Sequence, residues 1–150
     1  MRQVDLWISF FSHLGAKGEP GQVFADLDGR YREPGRFYHT WEHVIDCLGK
    51  LDATRSLCDS PLAVELALWF HDAVCNPRAD DNEARSAQLA LDMAAAMGID
   101  HAFADLSARL ILSTAHGSRS SWEDDGDRDA ALVQDIDLAI LGSAPRIFSA

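Results

Sequence analysis

The stretch Leu66–Ala73, LALWFHDA, constrains the fold more than any other. It is an apolar run that ends abruptly in a histidine followed at once by an aspartate. A polar group buried without a partner costs roughly 1–3 kcal/mol, and an unpaired charge costs far more. A His-Asp pair at the end of an apolar helix therefore needs compensation, and a metal ion would compensate both residues.

The surrounding chain reads as helix throughout. Val4, Trp7, Ile8, Phe11 and Leu14 recur at helical spacing before Gly15 and Gly18 break the pattern. A second helix is expected from about Gln22 to Tyr31 and a third from about Thr40 to Leu51, with Val44, Leu48 and Leu51 as its stripe. Ser60-Pro61 reads as a helix start, a serine cap with proline at the first helical position, and that helix is expected to run through His71-Asp72. Further helices are expected over Glu83–Met97, stopped by Gly98, over Phe103–Ala115, and over Arg128–Leu141. No alternating strand pattern, repeat or Gly-rich phosphate loop interrupts this reading. The expectation is one all-α domain spanning residues 1–150, a bundle of about seven helices.

Composition narrows the function classes. With 13 Lys+Arg against 24 Asp+Glu, the net charge of −11 opposes binding to duplex nucleic acid. Cys47, Cys58 and Cys75 lack the paired spacing of a zinc knuckle and read as reduced thiols whose default role is packing. No run approaches the 18 or so apolar residues of a membrane span, so a soluble, cytoplasmic protein is expected.

Three groups of residues carry chemistry. His39 and His43 are four apart, which on a helix projects both from one face. His71 and Asp72 diverge by about 100° on a helix and share one ion only if it lies between them near the helix end. Asp135 and Asp137 interrupt an otherwise apolar run, where a carboxylate wants a cation or a donor. Each group also has a plain reading, as a polar helix start or as solvated carboxylates.

Taken in order, histidine, His-Asp and aspartate, the chain resembles the HD superfamily of metal-dependent phosphohydrolases. It is most similar to a bacterial subfamily of HD phosphohydrolases, through Arg36–Val44 (RFYHTWEHV), Leu68–Val74 (LWFHDAV), Asp81–Ala87 (DNEARSA), Ile111–His116 (ILSTAH) and Asp135–Gly142 (DIDLAILG). The resemblance implies an HD-like helical bundle with His43, His71 and Asp72 as metal ligands. Asp137 is the preferred fourth ligand, and Asp135 stays open.

Tyr38-His39 resembles the start of the Tyr-His-x-x-x-His signature of cyclic-nucleotide phosphodiesterases, which implies a general acid in His39. Asp72 would bridge if two ions bind. His116 is a candidate for a second metal or a phosphate, and Glu83 and Arg85 are candidates for substrate binding. Trp41, Trp69 and Trp122 are candidates to stack on a base, with Trp69 better suited to the core.

Imidazole and carboxylate ligands without thiolates suit one or two ions of Mn, Fe, Mg, Ni or Zn. The implied activity is hydrolysis of a nucleotide or other small phosphate ester by metal-activated water. The alternatives are a di-iron oxygenase of the HD type, with His116 as the extra ligand, and a non-catalytic ligand-binding HD domain. The subfamily continues past its Asp-x-Asp-Leu helix into further helices, and Ser143–Phe148 reads as the start of one. An exposed apolar patch beside the last helix, completed in a homodimer, is the expectation.

Overall fold

The computed structural model of the chain describes residues 2–36, 40–115 and 127–139. Among them are seven α-helices and no strand: α1 (Gln3–Ser12), α2 (Pro20–Tyr31), α3 (Trp41–Thr54), α4 (Pro61–Phe70), α5 (Asn82–Ala96), α6 (His101–Leu112) and α7 (Arg128–Ala139). A 3-10 turn, Arg55–Leu57, links α3 to α4. The segment from Ser143, and with it the expected apolar patch, lies outside the described residues. No helix among the described residues is long and apolar enough to cross a membrane.

α4 is the central helix. Ala63, Val64 and every residue from Leu66 to Phe70 are at most 1% exposed, so this helix is buried over most of its surface, and its one charged residue, Glu65, pairs with Arg55. α3, α5, α6 and α7 surround it. Beneath its C-terminal half lies an aromatic group in which Trp69 meets Trp7 edge-on at 5.2 Å and Trp41 at 5.8 Å. Trp41 and Trp69 are both buried in this group, which removes them as bases' stacking partners, and Trp122 lies outside the described residues.

The helix ends follow local chemistry in some places and distant contacts in others. Gly98, at φ +69°, follows the last residue of the α5 cap, where glycine carries no Cβ penalty, and Ile99 N–H closes the turn on Ala94 O at 2.9 Å. The start of α4 differs from expectation. Ser60 is its cap residue, but the Ser60 side chain makes no capping bond. The N–H groups of Asp59 and Ser60 donate instead to the Asp129 carboxylate of α7, both at 2.8 Å.

Candidate metal centre

α4 ends at Phe70, one residue before the His-Asp pair, rather than running through it. His71 caps the helix and Asp72 lies in the turn beyond, which Ala73 N–H closes on Phe70 O at 3.0 Å. No proline or glycine forces this stop; distant side chains take up the carbonyls. Tyr31 Oη donates to Trp69 O at 2.8 Å, and the buried Arg36 guanidinium donates to Asp72 O at 2.7 Å and Ala73 O at 2.9 Å. From the other side, Val74 N–H donates to the buried Ser86 hydroxyl at 3.0 Å. Asn76 and Asn82 exchange two bonds that hold the following loop to the start of α5.

Four ligand atoms converge above this turn: those of His43, His71, Asp72 and Asp137 lie within 4.8 Å of one another. His43 Nε2 is 3.2 Å from His71 Nε2, 2.9 Å from Asp137 Oδ1 and 3.4 Å from Asp72 Oδ2. His71 Nε2 is 3.1 Å from Asp137 Oδ1 and 3.3 Å from Asp72 Oδ2. Both imidazoles and Asp137 are buried, and Asp72 is the most open of the four, with 15% of its side chain exposed.

The hydrogen-bond partners fix the tautomer of His71. His71 Nδ1 is 2.8 Å from Leu68 O, and a carbonyl only accepts, so Nδ1 carries a proton. Neutral His71 then presents a bare Nε2 to a second imidazole nitrogen and two carboxylate oxygens. A proton on either Nε2 or a metal ion can sit among these atoms. With the proton, burial would lower the His71 pKa, but the charges of Asp72 and Asp137 outweigh it and raise the group well above its ordinary value. For Asp137, burial opposes ionisation. The charge on His71, with the bonds to His43 and His71, overcomes that and holds its carboxyl well below the usual carboxylate range.

The spacing also suits a metal. Nitrogen and oxygen ligands about 2.0–2.2 Å from one ion lie about 2.9–3.5 Å from their neighbours at octahedral or tetrahedral angles, and the distances above fall in that interval. The tautomer fits too, because a ligating histidine ordinarily donates its other ring N–H to a carbonyl or carboxylate, as His71 does.

Of Asp135 and Asp137, the structure brings Asp137 to the cluster, on the buried stripe of α7. Asp129, Leu132, Val133, Ile136 and Asp137 follow the i, i+3, i+4, i+7, i+8 pattern and are all buried. Asp135 is exposed and shares its side of the helix with exposed Ala131, so it is no member of the cluster. The sequence carries a signal for this: Leu132, Val133 and Ile136 define the stripe, and of the two aspartates 135 and 137 only Asp137 extends it.

Of the remaining candidates, two lie among the described residues. Arg85 is exposed and Glu83 half-buried at the start of α5, and neither belongs to the ligand group. His39 and His116 lie outside the described residues.

Sequence reasoning gave Cys47 a packing role. It sits one turn after His43 with Sγ 3.7 Å and 3.8 Å from the two ring nitrogens, and His43, Cys47 and His71 form a second group spaced to hold an ion. Burial, aided by the charges of Asp137 and Asp72 against that of His71, pushes its thiol up to about 12. At neutral pH it is a thiol packed on the imidazole. Comparison of the chain with protein-family models, curated proteins and solved structures found no match.

Proposed function

We propose that His43, His71, Asp72 and Asp137 hold a divalent metal ion and that the chain is a metal-dependent phosphohydrolase of the HD type, acting on a nucleotide or another small phosphate ester. The observation that carries the metal is the convergence of two imidazole nitrogens and two carboxylate oxygens, with His71 Nδ1 held by Leu68 O so that Nε2 faces the other three. The hydrolytic activity comes from the sequence resemblance to the HD superfamily. When bound, a divalent ion supplies charge that polarises a phosphoryl oxygen and makes water more acidic.

The chain's own residues divide the remaining work. Leu68 O fixes the His71 ring and its tautomer, so Nε2 stays available. Arg36 and Tyr31 hold the backbone of the His-Asp turn, so neither ligand has to be ordered on binding. Asp72, as the most open of the four, meets substrate and solvent and suits a proton acceptor for attacking water. His39, four residues before His43, is the proposed acid for the leaving oxygen, a role that comes from the resemblance.

The test is elemental analysis of purified protein followed by a panel of nucleotides and phosphate esters assayed with Mn²⁺, Mg²⁺, Ni²⁺, Zn²⁺ and Fe²⁺. Metal-dependent release of phosphate that disappears in His71→Ala is the expected result. Two bound irons with iron–oxo absorption would replace this reading with the di-iron oxygenase. Stoichiometric metal without hydrolysis of any ester would leave a binding domain.

A further inference from the structure

α7 buries two aspartates, and only Asp137 belongs to the ligand group. Asp129 lies about two turns earlier on the same stripe. It is 3% exposed, and its two oxygens accept separately from the N–H groups of Asp59 and Ser60. Those donors stand at the start of α4, whose opposite end delivers His71. The two helices therefore run parallel, with Asp129 against the first end of α4 and Asp137 against the last. At about 1.5 Å per residue, Asp129 and Asp137 are about 12 Å apart along α7, and Ser60 and His71 about 16 Å apart along α4. The reach of the side chains covers the difference.

A slip of α7 by one residue would move Asp137 by about 1.5 Å and turn it by about 100°, while ligand distances tolerate only about 0.2 Å. The apolar part of the stripe, Leu132, Val133 and Ile136, resists such a slip weakly because burial is non-directional. Two charge-assisted bonds to neighbouring N–H groups are directional and specify one register. Asp127 and Arg128 support the same turn from outside: Asp127 Oδ1 accepts from Ala130 N–H at 3.1 Å, and Arg128 pairs with Asp59 at 2.6 Å on the surface.

We infer that Asp129 is a positioning residue: its bonds to the start of α4 set the axial register of α7 and thereby carry Asp137 to His43 and His71. The inference rests on the reading that these residues hold a metal.

The test is a double-mutant cycle read by Zn²⁺ affinity, because Zn²⁺ stands high in the stability order for such ligands and keeps weak variants measurable. Wild type, Asp129→Ala, Asp137→Ala and the double variant are titrated calorimetrically, with circular dichroism and a melting curve to establish that each is folded. Asp129→Ala should weaken Zn²⁺ binding about 10–100-fold, the range for residues that orient ligands. In the Asp137→Ala background the same change should alter affinity by less than about twofold, since the side chain being positioned is gone. Asp129→Asn, which keeps one acceptor oxygen, should fall between, and it takes the place of the alanine variant if that one does not fold. Unchanged affinity in Asp129→Ala, or an equal loss in both backgrounds, overturns the inference while leaving the ligand set intact. Wild type that binds no divalent ion overturns the ligand set and this inference together.

Discussion

Asp129 and Asp137 are buried to a similar degree, on one stripe of one helix, eight residues apart, yet they face opposite kinds of partner. Asp129 meets two backbone N–H donors, which neutralise its need for a cation. Asp137 meets two imidazole nitrogens, one of them necessarily bare when His71 is neutral, and lies beside a second carboxylate. Desolvating a carboxylate costs several kcal/mol, comparable with the roughly 1.5–3 kcal/mol contributed by burying each of Leu132, Val133 and Ile136. α7 docks only if both aspartates are compensated. One is compensated by the backbone, and the other by the two imidazoles and whatever proton or ion they share. A buried aspartate is thus no mark of a site by itself; the chemistry of what it faces is.

The sharpest way to break this contrast is to remove the histidine. His71→Ala should abolish metal content after dialysis and lower Mn²⁺ affinity more than about 100-fold, beyond the effect of losing a residue that only orients a ligand. Full metal content in that variant would mean that the two aspartates do not differ in this way.

The next effect is the pH dependence, which should have opposite sign without and with metal. Without metal, the raised pKa of His71 gives stability that is whole below its ordinary value of 6.5 and lost as pH rises through the folded value. The lowered pKa of Asp137 gives stability that is whole above its ordinary value of 3.8 and lost as pH falls through the folded value. The pair therefore stabilises the metal-free protein fully between these values, and melting temperature should decline on the alkaline side. A metal ion must displace the His71 proton, so its affinity should rise about tenfold per pH unit through neutrality. Calorimetric titrations at several pH values, set beside melting curves, check both slopes; a pH-independent affinity would show that no proton is displaced.

A third test concerns the turn that presents His71 and Asp72. Arg36→Ala removes donors from two carbonyls and should cost about 3 kcal/mol and weaken metal binding about tenfold. Denaturant unfolding and titration measure the two effects, and unchanged metal affinity would show that the turn holds its shape without the guanidinium. Tyr31→Phe loses a single bond to Trp69 O and should cost about 1 kcal/mol in the same unfolding assay. The smallest expected effect is the most discriminating between neighbours: Asp135→Asn should leave metal affinity within about twofold, and a large loss would move the ligand from Asp137 to Asp135.

Much of this molecule was legible in its residues because local rules decided it. The helices follow apolar spacing such as Val44, Leu48 and Leu51, and Gly98 ends α5 through a conformation that glycine adopts without strain. His71, Asp72 and Asp137 stand out as polar residues beside or within apolar runs and His43 by its spacing from His39, while their grouping as one ligand set came from the resemblance to the HD superfamily. Other features were hidden because their causes lie far away in the chain. α4 stops at Phe70 with no helix breaker, where Tyr31 takes the carbonyl of Trp69 and Arg36 those of Asp72 and Ala73, each from more than 30 residues upstream. Ser60 has the residue type of a cap but yields the adjoining donors to Asp129, some 70 residues downstream. Cys47 read as packing until its sulfur was placed against the His43 ring.

What the sequence determined by itself is the all-helical architecture and a short set of residues able to hold a metal. Periodicity and turn chemistry act within a few residues, and polar interruptions stand out against an apolar run. What only the tertiary structure decided is which of those residues meet and what each one faces. Asp129, Asp135 and Asp137 are the same side chain on the same helix, and the contacts of α7 with α3 and α4 assign one to backbone donors, one to the surface and one to the two imidazoles. Convergence of lone pairs depends on register between distant segments, and that is fixed by packing and directional bonds across the core.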